Sequence, residues 1–234
     1  RLRACTVQSG VGVREKVGAW RVGPDDGNGP CLYVERGARA QYVEVTETDG
    51  VCDVVMKEAS DRNDRIEEAR LTAEGEDGIA RLLERAYDTG CGGRSYYQQR
   101  HHVRLVARDP QVVGHMALAY RDIRMGEALV PVVGLAEVAT DPDRRGEGIA
   151  TRLMQAAIAE ARATPAAFFL LFGDQPLYAA SGFTRQSNHK TWIAMTGARM
   201  GAVTTGPSTH LMVLPLRDLA WEPDAHIDFL GHLF

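Results

Sequence analysis

Residues 139–154, ATDPDRRGEGIATRLM, place Arg144, Arg145, Gly146 and Gly148 just before an apolar-periodic run. Glycines let a backbone come close to a ligand and take up left-handed angles, and the first N–H groups of a helix have no intrahelical acceptors. The helix dipole adds partial positive charge at that end, and two arginines add charged donors. A strand that ends in such a turn and feeds a helix can hold phosphate oxygens. The competing reading is a solvated charged turn that starts an ordinary helix. A Walker loop would need Lys-Ser/Thr after its last glycine, where Ile149 and Ala150 stand, and a dinucleotide fingerprint would need a third glycine and an early βαβ position. What remains is R-x-x-G-x-A across Arg145, Gly148 and Ala150. Some thirty residues later, Tyr178, Gly182 and Phe183 form Y-x-x-x-G-F. Glu137 is the only carboxylate inside the apolar run LVPVVGLAEVAT (129–140).

These residues need a scaffold, and the pattern from about residue 65 supplies one. RIEEARLTA reads as a strand, and EDGIARLLERAYD sets Ile79, Leu82, Leu83 and Ala86 at helical spacing with acids in the first turn. HVRLVARD and QVVGHMALAYRDIR form a hairpin around Asp109-Pro110. The run 127–140 is long and apolar enough to be a central strand, with Pro131 and Gly134 marking a bulge or a break in its pairing. A helix is expected over 148–162, stopped by Thr164-Pro165. Then come the strand AAFFLLF, a short helix that starts at Pro176 and ends at Gly182, and two strands in KTWIAM and THLMVLPL. The order is βα, several antiparallel strands, βα, βα, ββ, with no internal repeat. Residues 1–62 read as a separate β-rich extension of short hairpins without assignable chemistry, and 63–234 as the main domain.

On R-x-x-G-x-A and Y-x-x-x-G-F together, residues 65–234 resemble the GNAT (Gcn5-related N-acetyltransferase) superfamily. That resemblance implies an α/β (α+β) fold with a central mixed, mostly antiparallel sheet flanked by helices, and acetyl-CoA as co-substrate with no metal. It also implies that the strand from Leu135 to Thr140 pairs by its backbone with the pantetheine arm, with Val138, Ala139 and Thr140 binding the cofactor and an amide near Val138 polarising the thioester carbonyl. The amides of Arg144, Arg145, Gly146, Glu147, Gly148, Ile149, Ala150 and Thr151 would wrap the pyrophosphate. Tyr178 becomes the acid that protonates the departing thiolate. On its own, a tyrosine on a short helix reads as core.

Acyl transfer to an amine also needs a group to take the amine proton. Glu137 is the best candidate base, provided that a bulge turns it toward the acceptor site; the alternative is a structural pair with Arg104 or Arg121. His115 is a weaker candidate. GGRSYY with VVGHMAL resembles the nodulation acyltransferase NodA, and HLMVLPL with HIDFLGHLF resembles the ends of NodA and the aminoglycoside 2'-N-acetyltransferases. Tyr96 and Phe229 stand where those relatives carry tryptophan. This likeness implies an amino-sugar acceptor, such as the aminoglycosides of antibiotic resistance, with Asp228, Phe229 and Phe234 lining its pocket and Glu222 and Asp224 adding negative charge. The alternatives are a NodA-like transferase of longer chains and a catalytically silent CoA-binding regulatory module.

Composition narrows the classes. The chain has 234 residues, 44% hydrophobic and 25% charged, with a formal net charge of −4. That argues for a globular protein and against a nucleic-acid or membrane-surface binder, so any anion site is local. Cys5, Cys31, Cys52 and Cys91 include no C-x-x-C pair, which speaks against zinc and favours isolated reduced thiols. No cysteine lies in sequence near the glycine turn or the strand before it, so direct transfer without an acyl-enzyme is expected. No apolar run reaches the ~20 residues of a membrane span and no leader pattern opens the chain. The expectation is a cytoplasmic enzyme acting on a small amine, with a homodimer as the candidate oligomer.

Overall fold

A computed structural model describes residues 31–36, 39–48, 51–57, 63–88 and 90–234, with side chains from residue 63 onward. The chain divides into two units, 1–61 and 62–234. In the first, β1 (Cys31–Arg36), β2 (Arg39–Thr48) and β3 (Val51–Lys57) make an antiparallel sheet in the order β1-β2-β3. The stretch AWRVG lies outside the described residues.

The second unit is built on β4 (Asn63–Glu67), α1 (Ala73–Ala86), β5 (Val103–Asp109), β6 (Gln111–Met125), β7 (Ala128–Thr140) and α2 (Ile149–Ala163). They are followed by β8 (Phe168–Phe172), α3 (Pro176–Ala180), β9 (Thr184–Arg185), β10 (His189–Thr196), β11 (Arg199–Pro207), β12 (Leu211–Pro215) and β13 (Ile227–Asp228). Ten of these strands form one sheet in the order β11-β10-β13-β6-β7-β8-β12-β9, with β5 also on β6 and β4 on β5. Pairing is antiparallel except between β7 and β8 and between β10 and β13.

The two long helices cover opposite faces, as the period-2 alternation of β5 and β6 requires. Leu105, Ala107 and Val113 join Ile149, Leu153 and Ala157 of α2 in one cluster. Val106 and Val112 join Ile79, Leu82 and Leu83 of α1 in another. Thr72 starts α1, its hydroxyl accepting the Gly75 N–H at 3.1 Å. α2 lies close against β6 because residue 114 is glycine: a Cβ there would stand 2.5 Å from Ile149 Cγ2.

The structure departs from the sequence reading in several places. RIEEARLTA is only partly strand; β4 ends at Glu67, and a 3-10 turn leads into α1. β7 is regular through Pro131 and Gly134, which pair with Asp122 and Ala119. Pro131 sits one residue before the parallel pairing with β8 begins, its carbonyl accepting the Ala167 N–H at 2.8 Å, so its missing N–H breaks no ladder. Gly134 leaves room for a ring, since a Cβ there would stand 1.9 Å from Phe234. Finally, β11 was not expected, and the tail contributes β13, which inserts between β6 and β10. Among the described residues no helix is long and apolar enough to cross a membrane.

Candidate active site

The irregularity in β7 falls at Glu137. His115 pairs with Ala139 and Ala117 with Ala136, so Met116 alone on β6 faces both Glu137 and Val138. This is a β-bulge, and it holds Glu137 at φ 49°, the left-handed region that non-glycine residues rarely occupy. His115 secures it. A carbonyl oxygen only accepts, so His115 Nδ1–H donates to the Glu137 carbonyl at 2.8 Å. Its Nε2 then accepts from Arg104 Nη1 at 3.5 Å. Arg104 is fully buried, donating to Glu68 Oε2 at 2.6 Å and to the Ser95 carbonyl at 2.8 Å. Burial, with the guanidinium beside it, pushes His115 down to about 3, so it stays neutral. A neutral, enclosed His115 is therefore a fixture of the bulge.

The Glu137 side chain is itself only 8% exposed. Its Oε1 accepts the Tyr97 N–H at 2.8 Å and His101 Nε2–H at 3.2 Å. Burial alone would raise this carboxyl, but the hydrogen bonds from His101 and Tyr97 overcome it and hold Glu137 below the usual carboxylate range. His101 is pushed down by its own burial, so its contact is a hydrogen bond from a neutral ring. Glu137 touches neither Arg104, which is bound to Glu68, nor Arg121, which donates to the His232 carbonyl at 2.6 Å.

Glu137 lines a cavity of about 250 Å³ with Tyr87, Cys91, Tyr97, Gln98 and Phe234. The sheet opens nearby. β7 and β8 pair only from Val132–Phe168 to Leu135–Leu171, and β7 continues five residues further to Thr140. Tyr87 Oη donates to the Val138 carbonyl at 2.8 Å. Cys91, distant from this strand in sequence, is brought to the cavity by the loop after α1, and burial beside Glu137 pushes its thiol up to about 11. It is a poor nucleophile in this state.

Beyond Thr140 the chain turns through Asp141, whose carboxylate accepts the Asp143 N–H at 3.0 Å and a bond from Arg85 Nη1 at 2.7 Å. Gly146 and Gly148 have φ of 87° and 74°, and Gly148 precedes the first residue of α2. The first helical bond runs from the Arg152 N–H to the Gly148 carbonyl at 3.0 Å. Among the described residues, no acceptor takes the N–H groups of 145–151. Arg144 is committed to Glu147 at 2.7 Å and Asp109 at 3.2 Å, whereas Arg145 is exposed and has no partner among the described residues. The spare donors are thus backbone amides and one arginine, which fits an anion.

Tyr178 lies in α3 and is buried, its ring against the space above Gly173, where a Cβ would stand 2.6 Å from Cε2. Burial and the charge of Asp174 raise its hydroxyl pKa, so it stays protonated at neutral pH. The tail residues separate by role. Asp228 Oδ1 accepts the Leu230 N–H at 2.8 Å, and Phe229 is fully buried against Phe172 and Phe234. Phe234 shares the cavity with Glu137. Glu222 and Asp224 are exposed and do not line this cavity. Sequence reasoning missed Tyr87, Tyr97, His101 and Cys91, which gather from a loop-rich stretch without periodicity. Among the described residues, no group of three His, Cys, Asp or Glu could hold a metal ion.

The family model for an acetyltransferase (GNAT) domain matches residues 69–185. The chain belongs to the GNAT acetyltransferase family and is an acyltransferase. A GNAT family acetyltransferase from Brucella melitensis, solved with acetyl-CoA, is 21% identical over 70% of this chain and 94% of its own, with a TM-score of 0.47. The Escherichia coli GNAT family N-acetyltransferase YhbS, solved with CoA, is 21% identical over 64% of this chain and 82% of its own, also at 0.47. No curated protein matches the sequence.

Proposed function

We propose that the protein is an acetyl-CoA-dependent N-acetyltransferase acting on the primary amine of a small molecule by direct transfer in a ternary complex. The observation that carries this reading is the bulge that turns a buried, ionised Glu137 into a cavity beside the opening between β7 and β8. The unpartnered amides of 145–151 and Arg145 suit the pyrophosphate of the thioester substrate, and the edge of β7 that β8 leaves free after Leu135 suits its pantetheine arm. The amine nitrogen, once neutral, attacks the thioester carbonyl carbon, forming the C–N bond. The backbone at Val138 stabilises the oxyanion. Glu137 takes the nitrogen proton, directly or through a water, and the C–S bond breaks as Tyr178 gives its hydroxyl proton to sulfur. A covalent route through Cys91 is disfavoured by its raised thiol. An amino sugar is the acceptor favoured by the resemblance of the tail to the aminoglycoside enzymes.

The test is release of CoA thiol from acetyl-CoA with a panel of amino sugars, aminoglycosides, amino acids and polyamines. Turnover with at least one amine is expected. Tight acetyl-CoA binding with no turnover on any amine would instead favour a silent CoA-binding module.

A further inference from the structure

A second cavity, of about 140 Å³, adjoins the first: Gln98 and Phe234 line both. His101, which bonds Glu137 from one side, lines it from the other. No Asp or Glu is among its lining residues. Arg121 is: half-buried, it lies 4.2 Å over the Phe234 ring and forms no ion pair among the described residues. Its sole hydrogen bond there uses Nη1, toward the His232 carbonyl. Burial without a carboxylate beside it drives this guanidinium down to about 10. His232, also in the wall, is pushed down by burial and by the charge of Arg121. The other arginine of this wall, Arg100, is neutralised by Glu68 at 3.0 Å and Glu76 at 2.6 Å.

A half-buried guanidinium whose unused donors open onto a cavity without a counter-charge is a ready partner for an anion, which it can hold through charge-assisted hydrogen bonds. A water's share of liquid volume is about 30 Å³, so this space suits an acidic group with a carbon or two, not a whole acceptor. Resting on the acetyltransferase reading above, we infer that the amine substrate carries an acidic group, carboxylate or phosphate monoester, that Arg121 binds in this second cavity while the amine reaches Glu137. The acceptor is then zwitterionic, anchored at its acid end by the planar fork of Arg121 and at its amine end by the Glu137 carboxylate. A polycation such as an aminoglycoside would meet Arg121 as a like charge.

The experiment compares ω-amino acids of two to five carbons with their amides, and O-phosphoethanolamine with ethanolamine, as acceptors for wild type, Arg121→Gln and Arg121→Lys. Wild type should prefer one acid series over its neutral partners by about tenfold or more in kcat/KM, the size of a charge-assisted pair. Whichever series wins identifies the carboxylate or the phosphate. Arg121→Gln should abolish that preference chiefly through KM, and Arg121→Lys should restore part of it. If Arg121 merely anchors the tail, both partners of each pair will slow equally and the preference will survive, which overturns the inference. So would a change confined to the acetyl-CoA KM. Thermal shift with the N-acetyl ω-amino acids and CoA separates the two readings. Stabilisation that needs Arg121, without turnover of any amine, retains the acid site and removes the catalytic assignment; turnover with no acid preference and no such stabilisation does the reverse.

Discussion

At the scale of single residues, the account rests on two protonation states set by burial and neighbours. Tyr178 is held protonated and Glu137 ionised, the states a leaving-group acid and a proton acceptor require. Tyr178→Phe should lower kcat roughly 100-fold while acetyl-CoA affinity, read by calorimetry, stays nearly unchanged. Glu137→Gln should lower turnover by a similar factor, the amide still accepting the Tyr97 N–H. Wild-type turnover in either variant would remove that residue from the mechanism. Tyr178 was legible because its motif follows the glycine turn at a fixed distance. Glu137 was legible as the lone acid in an apolar strand, but its direction was not, because one residue of register decides which face it takes. Cys91 was invisible as a cavity residue since only the folded loop brings it there.

At the scale of elements, the bulge and the α2 turn are the irregular backbones of the candidate site, and each has a visible cause. The bulge is fastened from β6 by His115, which is itself backed by Arg104 and Glu68. The turn depends on glycine at positive φ. Gly148→Ala should cost about 1 kcal/mol in urea unfolding and raise the acetyl-CoA KM, since a Cβ disfavours the left-handed angle that aims the amides. Unchanged stability and KM would show that the loop geometry tolerates a side chain and does not depend on glycine. Sequence periodicity located α1, α2 and the β5–β6 hairpin because each buries a regular stripe. It misplaced the bulge, taking Pro131 and Gly134 for the break. Proline instead falls where no ladder bond is due, and glycine answers to the Phe234 ring. It also passed over β11, whose residues are mostly exposed and rich in Gly and Thr, and β13, two residues that are strand only because β6 and β10 flank them.

At the scale of the whole molecule, several buried groups push stability the same way with pH. His115 titrates at about 3 in the folded chain against 6.5 unfolded, and His101 and His232 are shifted in the same direction. The unfolded chain therefore binds protons first. The stability tied to neutral His115 is complete above about pH 6.5 and is lost as pH falls toward 3, by up to ~1.4 kcal/mol per pH unit. Glu137, shifted down from its unfolded value, adds a loss of the same sign at lower pH. Urea unfolding at pH 7 and pH 5 should show the protein weaker at pH 5 by roughly 2 kcal/mol, with a smaller difference in His115→Gln. Equal slopes would mean that His115 is not buried neutral. The class of the enzyme was legible in two short motifs, R-x-x-G-x-A and Y-x-x-x-G-F, because each is local in sequence and the second follows the first at a set distance. The cavity of Glu137 was not, because its walls come from a loop, β7 and the tail, joined only by folding.

The central claim is that acetyl passes from the thioester to an amine in the cavity of Glu137. Its most direct test is a single turnover with labelled acetyl-CoA in slight deficit over enzyme, quenched and resolved into thioester, protein and amine. The expected result is label that stays in the thioester without amine and moves to the amine, never to the protein, when a competent acceptor is added. Label on the protein before the amine arrives, or no transfer to any amine, would contradict the account.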